Sequence, residues 1–256
     1  MLLTEFDANR QAIINPEDLN EPLEGFPKIA VSCFSRSTFQ RMLEMFPHEL
    51  IYETSMANVA IPIYKLVIAE QELALFNAPV GASACVAILE DIFALGAEKL
   101  VLFGTCGVLD EDIKETSIII PSYALRDEGT SFHYVEASDE IEVNVGVLDR
   151  FRSYLNERQI SHKEGKVWTT DGIYRETNGK LKARKAAGAI CVDMECSAVA
   201  ALAAFRDLEL CHFFYAADHL SEEKWDIRTL SSHEDLNEKD KVALLALEFA
   251  CDWSKP

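Results

Sequence analysis

The order of apolar runs along this chain predicts a three-layer α/β/α fold around a central mixed β-sheet. Three observations carry that prediction. Short, partly β-branched apolar runs at 28–31, 99–103, 189–192 and 210–216 have the length and composition of buried strands. Longer runs with helical spacing separate them; in 145–159, Val147, Leu148, Phe151, Tyr154 and Leu155 share one face. No linker, internal repeat or low-complexity segment interrupts the pattern, so residues 1–256 are expected to form a single domain.

Taken in order, residues 1–27 are polar and punctuated by Asn15-Pro16, Glu21-Pro22 and Phe26-Pro27, and read as an irregular arm. Residues 28–31 are the first strand and 37–46 the first helix. Runs 61–69 and 72–76, joined by Glu70-Gln71, predict a hairpin. A helix over 81–95 is closed by Gly96, the residue type that tolerates the left-handed cap. The strand at 99–103 ends in Gly104-Thr105-Cys106-Gly107, and the next, 117–125, is interrupted by Pro121. Helix 145–159, strand 166–170, the basic helix 178–187, strand 189–192, helix 197–205, strand 210–216 and helix 240–253 complete the chain.

Composition narrows the function. The 256 residues supply ample core for independent folding. Acids outnumber bases by 43 to 24, a formal net charge of −19, which disfavours nucleic acid as a partner because phosphates are repelled at long range. No apolar run approaches the roughly 18 residues that span a bilayer, and the acidic start Met1 to Asp7 lacks a basic segment followed by an apolar one. A cytoplasmic protein with no membrane association is expected. Seven cysteines are scattered without C-x-x-C spacing and read as buried thiols in a reducing compartment, not as zinc ligands. No metal or cofactor is expected.

Asp193 and Glu195 stand where strand 189–192 hands over to helix 197–205. Acids there could cap the helix, since its dipole favours negative charge. The same place is the carboxyl end of a strand, where α/β folds bind ligands. Val192-Asp193-Met194-Glu195 resembles the V-E-M-E element of the nucleoside phosphorylase family, which contains uridine phosphorylase, bacterial purine nucleoside phosphorylase and methylthioadenosine nucleosidase. The resemblance implies that Glu195 grips the ribose hydroxyls and Met194 packs beneath the sugar. Asp193 stands where the family usually has Glu.

Further elements follow in family order, over roughly residues 12–253. Ser32-Cys33-Phe34-Ser35-Arg36 stands at the family's G-D-P-x-R phosphate loop, Ser32 for the glycine and Arg36 for the arginine; read alone, Ser35 or Ser37 could simply cap the helix. Gly104-Thr105-Cys106-Gly107 resembles the G-T-x-G element, implying that Thr105 binds phosphate while Cys106 and Gly107 border the base. Thr170, Asp171 and Ile173 fall in the segment that stacks on the base, with Ile173 in the aromatic's place and Trp168 or Tyr174 as substitutes. Ala217-Asp218-His219 matches the purine members' S-D-H element, where Asp protonates the departing purine, and Arg228 is the nearest arginine to assist it. The loop 126–134, with His133, resembles the family's segment near the subunit contact.

The departures gather on phosphate. Leu102 occupies the place of the second phosphate arginine, residues 51–64 contain no arginine for a neighbouring subunit to lend, and Gln11 to Ile14 replace the lent histidine. The uridine readers are absent from 175–179. The resemblance therefore implies a homo-oligomeric enzyme, dimer or hexamer, that cleaves a purine-type nucleoside with inorganic phosphate as co-substrate. Its rivals are a nucleosidase that uses water and a nucleoside-binding protein without turnover.

Overall fold

The computed structural model describes residues 2–228, 230 and 236–255. The arm carries a 3-10 turn at Leu2–Thr4 and a short helix, α1 (Pro16–Leu19). Then come β1 (Ile29–Cys33), α2 (Arg36–Met45), β2 (His48–Met56), β3 (Val59–Ile68), β4 (Gln71–Asn77) and α3 (Ala82–Leu95). The middle of the chain forms β5 (Lys99–Val108), β6 (Ile118–Asp127), β7 (Glu140–Glu142), α4 (Leu148–Glu157), β8 (His162–Thr170) and α5 (Asn178–Ala186). It ends with β9 (Ala189–Asp193), α6 (Cys196–Arg206), β10 (Glu209–Leu220), β11 (Trp225–Asp226) and α7 (Leu236–Trp253).

Alternation along the central strands creates two cores, one on each face. Ile29, Val31 and Cys33 of β1 and Val101 and Phe103 of β5 face a cluster with α4 and α7. Ala30, Leu100 and Leu102 face the other way, against α3 and α6. This is the three-layer α/β/α arrangement expected. Leu102 is thereby committed to the core, fully buried.

The sheet is mixed: β2, β3 and β4 form an antiparallel meander, while β4, β1, β5 and β10 run parallel. It also closes on itself. β10 pairs with β6, β6 with β8, β8 with β9, and β9 returns antiparallel to β5 through Gly107 and Val108. The chemistry-bearing stretches 104–108, 189–193 and 214–220 all lie on this ring.

Several elements depart from the sequence reading, among them β8, which begins at His162, and α7, which begins at Leu236. Strand β5 does not stop at Gly104 but continues to Val108. Its glycines are places of close approach: a Cβ at Gly104 would lie 2.7 Å from Phe34 Cδ2, and one at Gly107 would lie 2.5 Å from Leu220 Cδ1. Strand β10 runs past Ala216 to Leu220, with a register shift between Ala216 and Asp218 that re-aims the acid. Strand β2 was not anticipated; it is mostly exposed and contributes only Thr54 to the buried set, so its pattern offers little apolar periodicity. The hairpin turn falls on Ala69 and Glu70, both at positive φ, one residue earlier than expected.

Candidate active site

The two acids at the start of α6 have separate tasks. Asp193 fastens the strand to the helix: Oδ2 accepts from the backbone amides of Glu195 (2.9 Å) and Cys196 (2.7 Å), and Oδ1 from Thr169 Oγ1 (2.7 Å). A buried chain of bonds continues outward. Thr169 Oγ1 accepts from the Ser197 amide at 3.1 Å, Ser197 Oγ donates to Glu128 Oε1 at 2.8 Å, and Glu128 Oε2 accepts from the Ser131 amide at 2.9 Å. The helix dipole and these donors make Asp193 the cap.

Glu195 makes no cap bond with its side chain. Its Oε1 instead accepts from the amide of Gly81 at 2.5 Å, tying α6 to the loop before α3. Gly81 sits at φ +103°, a conformation that L side chains rarely adopt, and so presents its N–H there at little cost. Burial pushes the carboxyls of Asp193 and Glu195 above the ordinary range, and the Asp193 charge raises Glu195 further. Glu195 is thus a buried acid held close to protonation, 5% exposed, in a cavity wall.

That cavity has a volume of about 530 Å³. Its lining brings together Thr105, Cys106 and Gly107 of β5, Asp193, Met194 and Glu195, Ile173 and Tyr174, and Asp218 of β10. Phe34, Val80, Glu176, Val192, Leu220, Trp225 and Leu230 complete it. Stretches far apart in the chain therefore meet because the sheet closes into a ring.

Asp218 brings a further carboxyl to the cavity from β10. Burial pushes its carboxyl up, against the Trp225 N–H, its own backbone amide and the charges of Arg228 and His219. Trp225 Nε1 donates to Asp218 Oδ2 at 2.7 Å although the indole is 57% exposed. Arg228 does not line the cavity; its Nη1 donates to the Ile113 carbonyl at 3.0 Å, and it acts on Asp218 through its charge.

A second cavity of about 270 Å³ adjoins the first, sharing Phe34, Val80, Thr105 and Leu230 with it. Its polar lining comes from Ser35, Ser37, Thr38, Thr105, Tyr215 and Lys239. Ser35 also caps α2, accepting from the Thr38 amide at 3.2 Å. Thr105 is the junction between the two spaces.

Other predicted residues lie outside both linings. Ser32 is fully buried and knits β1 to β4, donating to the Phe76 carbonyl at 2.9 Å and accepting from the Ala78 amide at 3.1 Å. Arg36 is exposed on the first turn of α2. Thr170 Oγ1 accepts from Gly172 (3.2 Å) and Asp171 Oδ2 from Gly129 (2.9 Å), so both shape loops. Trp168 is fully buried and donates to Asp127 at 2.9 Å, outside the cavity lining, whereas the exposed Tyr174 is part of that lining. Arg126 is drawn inward to Ser131 Oγ (2.8 Å), the Glu136 carbonyl (2.7 Å) and Ser138 Oγ (2.8 Å), over the Phe132 ring. His133 lines a separate groove with the N-terminal arm.

Trp225, Glu176 and Phe34 were missed by sequence reasoning. Phe34 and Glu176 stand inside segments that the sequence reading named (32–36 and 175–179) without being singled out, and Trp225 lies a few residues beyond Asp218. All seven cysteines are buried. Among the described residues no cluster of His, Cys, Asp or Glu is placed to hold a metal ion, and no helix is long and apolar enough to cross a membrane.

Comparison with known proteins bears on the family and the fold. Residues 28–249 match the family model described as the phosphorylase superfamily. A DeoD-type purine nucleoside phosphorylase of Brevibacillus brevis is 29% identical over 126 residues, 49% of this chain and 54% of that protein. The chain spans little more than half the length of the curated relatives it matches. In three dimensions it resembles uridine phosphorylase of Vibrio fischeri ES114, with a TM-score of 0.76 and 18% identity, covering 94% of this chain and 99% of that one. Futalosine hydrolase of Helicobacter pylori strain 26695 has a TM-score of 0.70 at 19% identity, covering 89% and 98%. At such identities these likenesses speak for the fold alone.

Proposed function

The chain belongs to the phosphorylase superfamily, and we propose that it cleaves the N-glycosidic bond of a purine-type nucleoside, with phosphate as acceptor, giving base and ribose 1-phosphate. The observation that carries this reading is that Met194, Glu195 and Asp218, from separate parts of the chain, line one cavity of about 530 Å³. Glu195 receives the ribose hydroxyls. Its carboxyl is costly to ionise in the empty site, and positive charge developing on the sugar offsets that cost, so the interaction strengthens toward the transition state. Met194 supports the sugar, and Ile173 and Tyr174 flank the base. Asp218, raised by burial, belongs to the end of the cavity that meets the leaving base, where the reaction needs a carboxyl group. Phosphate enters through the smaller cavity and meets C1′ beside Thr105. The match to proteins named purine nucleoside phosphorylases supports the purine assignment.

A second reading replaces phosphate by water. It is favoured by the smaller cavity, whose described lining offers hydroxyls and Lys239 but no arginine, and a structural neighbour is itself named a hydrolase. We place the reaction in the cytoplasm and in a homo-oligomer, in keeping with the exposed Ile13, Ile14 and Leu19 of the arm. A panel of nucleosides assayed for free base with and without phosphate tests the proposal. Ribose 1-phosphate as product supports it, free ribose moves it to hydrolysis, and tight nucleoside binding without any base release makes the chain a binding protein.

A further inference from the structure

Glu176 has no part in the roles above, yet it lines the same cavity as Asp218. It follows the 3-10 turn Ile173–Arg175 and is half-buried just before α5. The two carboxyls sense each other: after burial, the Asp218 charge is what raises Glu176. Their surroundings differ in kind. Asp218 accepts the Trp225 indole N–H at 2.7 Å and is also bonded by its own amide, with the charges of Arg228 and His219 close by. All of these stabilise a carboxylate and offset the burial that raises Asp218, so of the two acids Asp218 is the better held as an anion. Burial and a neighbouring negative charge are the influences on Glu176, and both favour its neutral form. Between two interacting acids the proton stays with the one whose surroundings support the anion least.

We propose that Glu176 is the acid that gives its proton to the departing base, while Asp218, clamped by Trp225, is the ionised neighbour that keeps Glu176 protonated in the resting site. This deepens the glycosidic reading above and rests on it. As the C1′–N bond breaks, its electron pair passes to the base. The Glu176 O–H bond breaks, an N–H bond forms on a ring nitrogen, and Glu176 is left as a carboxylate. Its partial exposure lets it recover a proton from water before the next turnover. Burial and Asp218 push its carboxyl up to about 7, a range in which an acid both holds and gives a proton near neutrality. Among the described residues the charged groups near the pair are His219 on β10 and Arg228 beyond β11, with Asp193 and Glu195 in the same cavity lining.

The experiment compares the intact protein with Glu176→Gln, Glu176→Asp and Asp218→Asn as homogeneous full-length chains. Release of base from purine nucleosides and release of nitrophenol from nitrophenyl riboside are followed across about pH 5 to 9. Glu176→Gln is expected to lower purine release about a hundredfold, to abolish the alkaline limb of its pH profile, and to change nitrophenol release by no more than about twofold because that leaving group needs no proton. Glu176→Asp keeps a carboxyl and recovers part of the loss. The proposal is overturned if Glu176→Gln leaves purine release intact, if it lowers both substrates equally, or if Asp218→Asn alone removes the limb. An unmodified protein that releases no base from any nucleoside defeats the underlying reading as well. An active one indifferent to Glu176→Gln defeats only the proposal.

Discussion

The two adjoining cavities are built on different physical terms. The larger one is an acidic site: four acids, a tryptophan N–H and an apolar floor, with carboxyls raised by burial. The smaller one is lined by hydroxyls and Lys239, next to the capped start of α2. A cation forming on a sugar finds strong support in the first. A phosphate dianion finds little in the second, since desolvating it calls for paired guanidinium groups. Arg36, which the sequence offered for that purpose, faces solvent, and two other arginines are engaged elsewhere: Arg126 in its own loop and Arg228 at the Ile113 carbonyl. On the proposed reading, sugar and base recognition can persist while acceptor recognition thins, because among the described residues the two cavities share Thr105 and three apolar residues and otherwise draw on different parts of the chain.

The largest effect is expected at Glu195. Replacing it by Gln removes a charge-assisted bond worth about 1.5–3 kcal/mol, so turnover of ribosides should fall by one to two decades in steady-state assays. Full activity in a folded variant would reduce the difference between the cavities to one of shape. Asp218→Asn comes next: cleavage of purine nucleosides should fall about tenfold more than that of nitrophenyl riboside, and equal losses would make Asp218 structural. On the other side, phosphate saturation should need millimolar concentrations or higher. Thr105→Val and Lys239→Ala should each raise the phosphate KM roughly tenfold, and Arg36→Ala should change it less. Micromolar saturation would reveal a cation from outside this chain and erase the contrast.

The smallest expected effect is on stability, and its sign follows from the raised carboxyls. A folded-state acid pKa above the unfolded value means that the folded chain binds more protons, so the contribution to stability falls as pH rises. For Asp193 and Glu195 it is fully present below the unfolded carboxylate range, about pH 4, and is lost as pH climbs through the raised folded values. Glu195→Gln should flatten the fall of Tm with pH and melt no lower than the parent at neutral pH, even as activity is lost. A variant Tm below the parent's at every pH would mean that Glu195 is needed to hold Gly81.

Much of the fold could be read from the residues because buried strands and amphipathic helices carry local signatures. The runs at 28–31, 99–103, 189–192 and 210–216 needed only apolar, β-branched composition. Strand β2 escaped because an exposed strand has no apolar face to betray it. Of the site, Thr105, Met194, Glu195 and Asp218 stood in recognisable elements and meet in one cavity. Trp225 and Glu176 did not, since their importance lies in what they face across the cavity.

The sequence by itself determined the alternation of layers, the strongly acidic balance and the placing of acids at strand ends, all consequences of side-chain chemistry over a few neighbouring residues. Tertiary structure alone decided which acid caps the helix and which one is tied to the loop before α3. Asp193 and Glu195 are two residues apart and chemically alike, yet one receives two amides and a threonine hydroxyl while the other turns to Gly81 and the cavity. That division comes from ring closure of the sheet and the 2.5–2.9 Å reach of hydrogen bonds, which local sequence does not encode.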